Sequence, residues 1–148
     1  MPRGFSLVEV VVAMAITTTA TLAIAQLSIM SVRANRVARS TTIATVLALQ
    51  KLEELRSAEW TELTESPREA LGRNTGGFCD FLDANGGTLA GDGPAPAGAV
   101  FVRRWALDQL SSGDALVIQV VVVPVGRAPT AVVGRGPAEA RLVGIRAR

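Results

Sequence analysis

Apolar residues dominate the run from Phe5 to Met30, and Glu9 is the one charged side chain in it. No proline or glycine occurs between Gly4 and Pro67. As a helix, residues 5–30 would rise about 39 Å, enough to cross a bilayer core of about 30 Å. Thr17, Thr18, Thr19 and Thr21 dilute the segment, but their hydroxyls can bond back to carbonyls one turn earlier and are tolerable in lipid. With Ala13, Ala20 and Ala23 they form a small-residue face for close helix packing. From Ser40 the pattern becomes amphipathic. Ile43, Val46, Leu47, Gln50 and Glu54 share one side, and Leu49, Leu52 and Leu55 widen it, which predicts a helix with an apolar stripe for a globular partner. Residues 5–56 as one helix would be about 78 Å long.

Beyond Arg56 the pattern changes. Residues 58–98 read as a variable loop region. Ser66-Pro67-Arg68-Glu69 is a capping-box pattern with proline at the first helical position, and Gly72 can end the turn, so one short helix is predicted there. Gly76-Gly77 and the Gly/Ala/Pro-rich stretch from Asn85 to Gly98 are loop signals. From Ala99 to Arg148 the chain reads as β. Residues 100–107 alternate, with Phe101, Arg103, Trp105 and Leu107 on one face. Residues 115–125 form an apolar strand bare enough to be central and covered on both faces, and Pro124 marks its end. Residues 130–133 and 140–147 complete the set. The predicted fold class is α+β: a long N-terminal helix, one half membrane-spanning and one half amphipathic, packed on a small antiparallel sheet of about four strands.

Composition narrows the chemistry. The chain has 148 residues, 49% of them hydrophobic, and a formal net charge of +2. Such a small surplus is weak evidence for nucleic-acid binding. Histidine and tyrosine are absent, which removes histidine-based triads, the commonest general base and the commonest transition-metal ligand. No catalytic constellation remains, and no enzyme activity, cofactor or metal is expected. The single cysteine, Cys79, excludes an intramolecular disulfide. It has no basic neighbour in sequence and reads as a half-buried thiol. Asp80, Asp83, Asn85 and Asp92 lack calcium-loop spacing and read as turn residues bonding their own backbone. Arg103-Arg104-Trp105 has two readings. The arginines and the ring could contact phosphates and bases of DNA or another anion, or Trp105 packs on the helix while both arginines reach water.

Glu9 needs a reason. An acid at the centre of a membrane helix costs about 2.5–3.5 kcal/mol. Near the helix start the cost is smaller, because headgroups are in reach and the helix dipole favours an anion. The order of segments also departs from a secretory signal, whose small-residue cleavage site follows the apolar core. Here the basic tetrapeptide Met1-Pro2-Arg3-Gly4 comes first.

Gly4-Phe5-Ser6-Leu7-Val8-Glu9-Val10 resembles the processing motif of type IV pilins and type II secretion pseudopilins. The resemblance implies a leader, residues 1–4, cut between Gly4 and Phe5 by a prepilin peptidase that also N-methylates Phe5. It implies a membrane or filament-core helix over 5–30 and an amphipathic half over 31–57. It implies that Glu9 meets the terminal amine of an adjoining subunit. The implied partners are other pilin or pseudopilin subunits, an inner-membrane assembly platform and the bacterial inner membrane itself, with the head periplasmic. The helix-breaking glycine and proline common in major pilins are missing. So is a C-terminal cysteine pair, which favours a minor subunit. An Arg-Arg-Trp strand followed by a valine-rich strand is similar to minor subunits of the PilV and GspI kind. Arg33, Arg36 and Arg39 share a helix face just beyond the span. The positive-inside rule alone keeps them in the cytoplasm, whereas the more specific motif places them outside, where they form a solvated face or meet phosphate headgroups, acidic neighbours or DNA. The alternative function is a tip-located minor pilin that binds DNA or a surface through Arg103, Arg104, Arg127, Arg135, Arg141, Arg146 and Arg148.

Overall fold

The computed structural model describes residues 6–67, 69–91, 93–110, 113–127 and 138–148. Gly4, Phe5, Arg68, Asp92, Ser111, Ser112, Arg135 and the predicted strand over 130–133 lie outside the described residues. The chain divides into two units, Met1–Val37 and Ala38–Arg148. One helix, α1, runs over Leu7–Ser57. It is continuous because no residue in it removes a backbone donor or relaxes the backbone.

In the first unit α1 carries exposed apolar side chains on all sides, among them Leu7, Val8, Met14, Ile16, Leu22, Ile24, Leu27 and Met30. It is long and apolar enough to cross a membrane, and its best 18-residue window has mean hydropathy 2.0 with no residue buried. The threonines behave as the sequence predicts. Thr17, Thr18 and Thr19 donate to the carbonyls of Ala13, Met14 and Ala15 at 2.7, 2.9 and 3.0 Å. Their hydroxyls are thereby satisfied without water.

In the second unit α1 buries Ala44, Leu47, Ala48, Leu52 and Leu55. These recur one turn apart on a single face. The stripe is rotated from the predicted one: Val46 and Leu49 are exposed, as are Gln50 and Glu54. Side-chain size misled the pattern reading. Ala44 and Ala48 are fully buried and join the core with Leu47 and Leu52.

Among the described residues the sheet has five antiparallel strands in the order β2-β1-β3-β4-β5. They are β1 (Cys79–Leu82), β2 (Thr88–Ala90), β3 (Phe101–Gln109), β4 (Ala115–Pro124) and β5 (Ala140–Ala147). The α+β prediction holds, with a strand count that differs slightly. β1 and β2 fall inside the stretch read as loop. Leu82, Phe101, Trp105, Leu107, Ile118, Val120 and Val122 join the helix residues in one core. Phe81, Val102, Val121 and Val123 form a second cluster on the opposite face, with Leu71, Ala90, Ala99 and Val125 against it. Val120, Val121, Val122 and Val123 are therefore all buried, and β4 is covered on both faces there.

The short helix predicted at Ser66 is replaced by turns. Ser66 does not cap a helix. Its N–H donates to Leu107 O at 3.0 Å, and its hydroxyl accepts from Leu107 N at 2.9 Å. A single-turn helix lies earlier, at Trp60–Glu62. Two glycines allow close approach to α1. A Cβ on Gly86, whose φ is +87°, would sit 2.8 Å from Leu47 Cδ2, and one on Gly144 would sit 3.1 Å from Leu52 Cδ1.

Candidate functional site

Glu9 occupies the first turn of α1. Its backbone N–H donates to Ser6 O at 3.0 Å. The side chain is exposed, and its carboxylate has no partner among the described residues. The helix dipole stabilises an anion in this turn. Along the next two turns Glu9 borders an open, mostly apolar groove with Val10, Ala13, Met14, Thr17 and Thr18. The two threonine hydroxyls are already bonded within the helix, so the groove offers mainly hydrocarbon next to a single negative charge. Such a surface suits lipid or another apolar helix that brings one cation to it.

The arginines singled out in β3 are inside the second unit. Arg103 and Asp80 are paired by register across β1 and β3. Arg103 Nε donates to Asp80 Oδ1 at 3.0 Å, Nη2 donates to Asp80 Oδ2, and Nη1 donates to Leu47 O of α1 at 3.1 Å. Both residues are buried, at 4% and 7% exposure. The bidentate pair satisfies the guanidinium fork and ties two strands to the helix. Arg104 points to the other face, where Nε and Nη2 share Asn74 Oδ1 at 3.0 and 2.9 Å. Burial holds its pKa below the ordinary value, and the neighbouring Cys79 works in the opposite direction. The expectation that both arginines reach water is not met. Trp105 does pack on the helix, with Lys51 Nζ 4.2 Å from its ring centroid.

Cys79 also departs from its sequence reading. It is buried, stands directly across from Arg104, and donates its S–H to Gly91 O at 3.0 Å. The basic neighbour lies 25 residues away in sequence and is brought close only by strand pairing. Asp83 behaves as predicted: its Oδ1 accepts from Asn85 N and Gly87 N, both at 2.8 Å. Two further arginines from the charge inventory are engaged. Arg141 Nη2 donates to Gln119 Oε1 at 2.8 Å. Arg146 Nη1 donates to Leu55 O and Ala58 O at 3.2 and 2.6 Å, satisfying carbonyls at the C-terminal end of α1 that the helix cannot pair itself. Asn74, the bonding of Ser66 to Leu107 and the capping role of Arg146 escaped sequence reasoning because each partner is remote along the chain.

A cleft of about 410 Å³ in the second unit is lined by Lys51, Leu55, Glu62, Leu63, Thr64, Gly77, Phe78, Trp105 and Leu107. Lys51 is held by Glu54 at 2.7 Å and by the Trp105 ring. Among the described residues no three His, Cys, Asp or Glu side chains converge. The distinctive chemistry therefore lies at the start of α1.

There one comparison with known families finds a match. Residues 2–25 match the model of the prokaryotic N-terminal methylation motif. The chain carries a prokaryotic N-terminal methylation motif. This motif is typical of type IV pilins and pseudopilins, and it supports processing by a prepilin peptidase and assembly with other subunits. No curated protein and no solved structure matches the chain. The matched residues, 2–25, end within the first unit and leave the sheet-bearing second unit without a match.

Proposed function

We propose that this chain is a non-enzymatic minor pilin or pseudopilin subunit. A prepilin peptidase removes residues 1–4 and methylates the amine of Phe5. The chain waits in the bacterial inner membrane with residues 38–148 in the periplasm, and the assembly platform then moves it into a type IV pilus or a type II secretion pseudopilus. The observation that carries this reading is the methylation motif at residues 2–25, which heads a 51-residue helix whose first unit exposes apolar side chains all round. Assembly exchanges lipid for neighbouring helices around that surface. Little hydrophobic energy is gained in such an exchange, since both environments are apolar, so packing and polar matches must fix the register. Glu9, without a partner among the described residues, is the group proposed to meet the new amine of an adjoining subunit.

Substitution Gly4→Ala tests the processing step. The full-length chain is expected to accumulate in the membrane and to be missing from sheared filaments. Wild-type incorporation of the uncleaved variant would refute the mechanism.

The alternative is a tip subunit that binds DNA or a surface through arginines, Arg103 and Arg104 among them. Against it, Arg103, Arg104, Arg141 and Arg146 have partners within the second unit. The expected result is no salt-sensitive retention of DNA by the full chain in detergent. Steep loss of retention with rising salt would instead favour the alternative, because phosphate contacts release counterions.

A further inference from the structure

Arg33 and Arg36 lie three residues apart and share a face of α1 in the first unit. Both are exposed. Among the described residues neither guanidinium meets a side-chain carboxylate, and the sequence has no acid between Glu9 and Glu53. The two arginines therefore present an unbalanced double positive charge. They also form one end of a shallow groove of about 300 Å³, whose other walls are Ser28, Ile29 and Val32. Ser28 turns its hydroxyl back to Ile24 O at 2.9 Å. The groove is thus apolar toward the span and cationic away from it.

The depth of this groove follows from helix geometry. From Glu9 to Met30 the helix rises about 32 Å, close to the ~30 Å thickness of a bilayer core. With Glu9 at one boundary and Met30 at the other, Arg33 and Arg36 stand about 5 and 9 Å beyond the hydrocarbon, at headgroup level. Arginine at this depth keeps its stem on apolar surface and its fork among phosphates. We infer that Arg33 and Arg36 bind the phosphate of an anionic phospholipid, with Ile29 and Val32 against its glycerol and upper acyl region. The inference rests on the membrane-spanning reading above and names a lipid class for it. A zwitterionic lipid is the weaker ligand, because its own ammonium competes for the phosphate.

The full chain, reconstituted in phosphatidylcholine bilayers with spin-labelled phosphatidylglycerol or spin-labelled phosphatidylcholine, tests both levels separately. Resistance to carbonate extraction tests the membrane reading alone, and an extracted chain would sink it whatever the lipid preference. For the integrated chain, phosphatidylglycerol is expected to associate more strongly than phosphatidylcholine by about fivefold or more, given the usual contribution of one basic residue near an anionic surface. The R33Q/R36Q chain is expected to lose the preference, R33K/R36K to keep most of it, and R3Q to keep all of it. Salt at about 0.5 M should weaken it, while inorganic phosphate at matched ionic strength should not. Equal association of the two lipids with the wild-type chain overturns the inference. So does a preference that survives in R33Q/R36Q or disappears in R3Q. Displacement by inorganic phosphate would mark a free-phosphate site and overturn the lipid assignment.

Discussion

Replacing Asp80 by alanine is expected to destabilise the second unit by about 3–5 kcal/mol, the usual cost of leaving one member of a buried ion pair without its partner. The reason is geometric. Arg103 is 4% exposed and directs all three nitrogens inward, two to Asp80 and one to Leu47 O. Without the carboxylate, a full charge stays in the core with one carbonyl to solvate it. For a unit of this size, a loss of that order lowers the melting temperature by more than about 10 °C. Thermal unfolding of the full chain in detergent, followed by the near-ultraviolet signal of Trp60 and Trp105, reads the shift. The paired substitution D80L/R103M removes both charges and should recover most of the loss, since apolar replacements of buried pairs are often near neutral. A shift below about 1 kcal/mol in Asp80→Ala, the range of a surface pair, would show that the pair does not hold β1 and β3 to the helix.

The second large effect concerns assembly. The Glu9→Leu chain is expected to remain in the membrane, because removing an acid from an apolar helix only favours insertion. Its incorporation into filaments should nevertheless fall by about tenfold to a hundredfold, the equivalent of a hydrogen bond to a charged group at about 1.5–3 kcal/mol. Glu9→Gln, which keeps the hydrogen-bonding shape without the charge, should lie between. The ratio of filament to membrane signal in sheared and residual fractions measures it. Normal incorporation of Glu9→Leu would remove Glu9 from the assembly step.

These two residues also show what was legible in the sequence. Glu9 stood out because its surroundings are local: one acid at a fixed distance from Gly4, inside an apolar run. The strands β3, β4 and β5 were legible for the same reason, since alternation and valine runs are local patterns. Asp80 was not. Cys79-Asp80-Phe81-Leu82 carries a charge in a four-residue strand, flanked by glycines and Asn85, and reads as loop unless Arg103 is known to lie opposite. Ser66 shows the converse error. Its spacing to Glu69 satisfies a local capping rule, but its hydroxyl and N–H are taken by Leu107 on β3. The helix stripe went astray for a third reason, because burial favoured Ala44 and Ala48 over the larger Val46 and Leu49. In each case the deciding partner sits on another element, beyond the reach of spacing rules.

The mature protein is expected to begin at a new amine on Phe5. Mass analysis of the N-terminal peptide from chain recovered in its native host tests this directly. The expected chain starts at N-methylated Phe5 and lacks Met1 to Gly4; a chain that retains Met1, or is cut beyond the apolar run, would overturn the proposed processing.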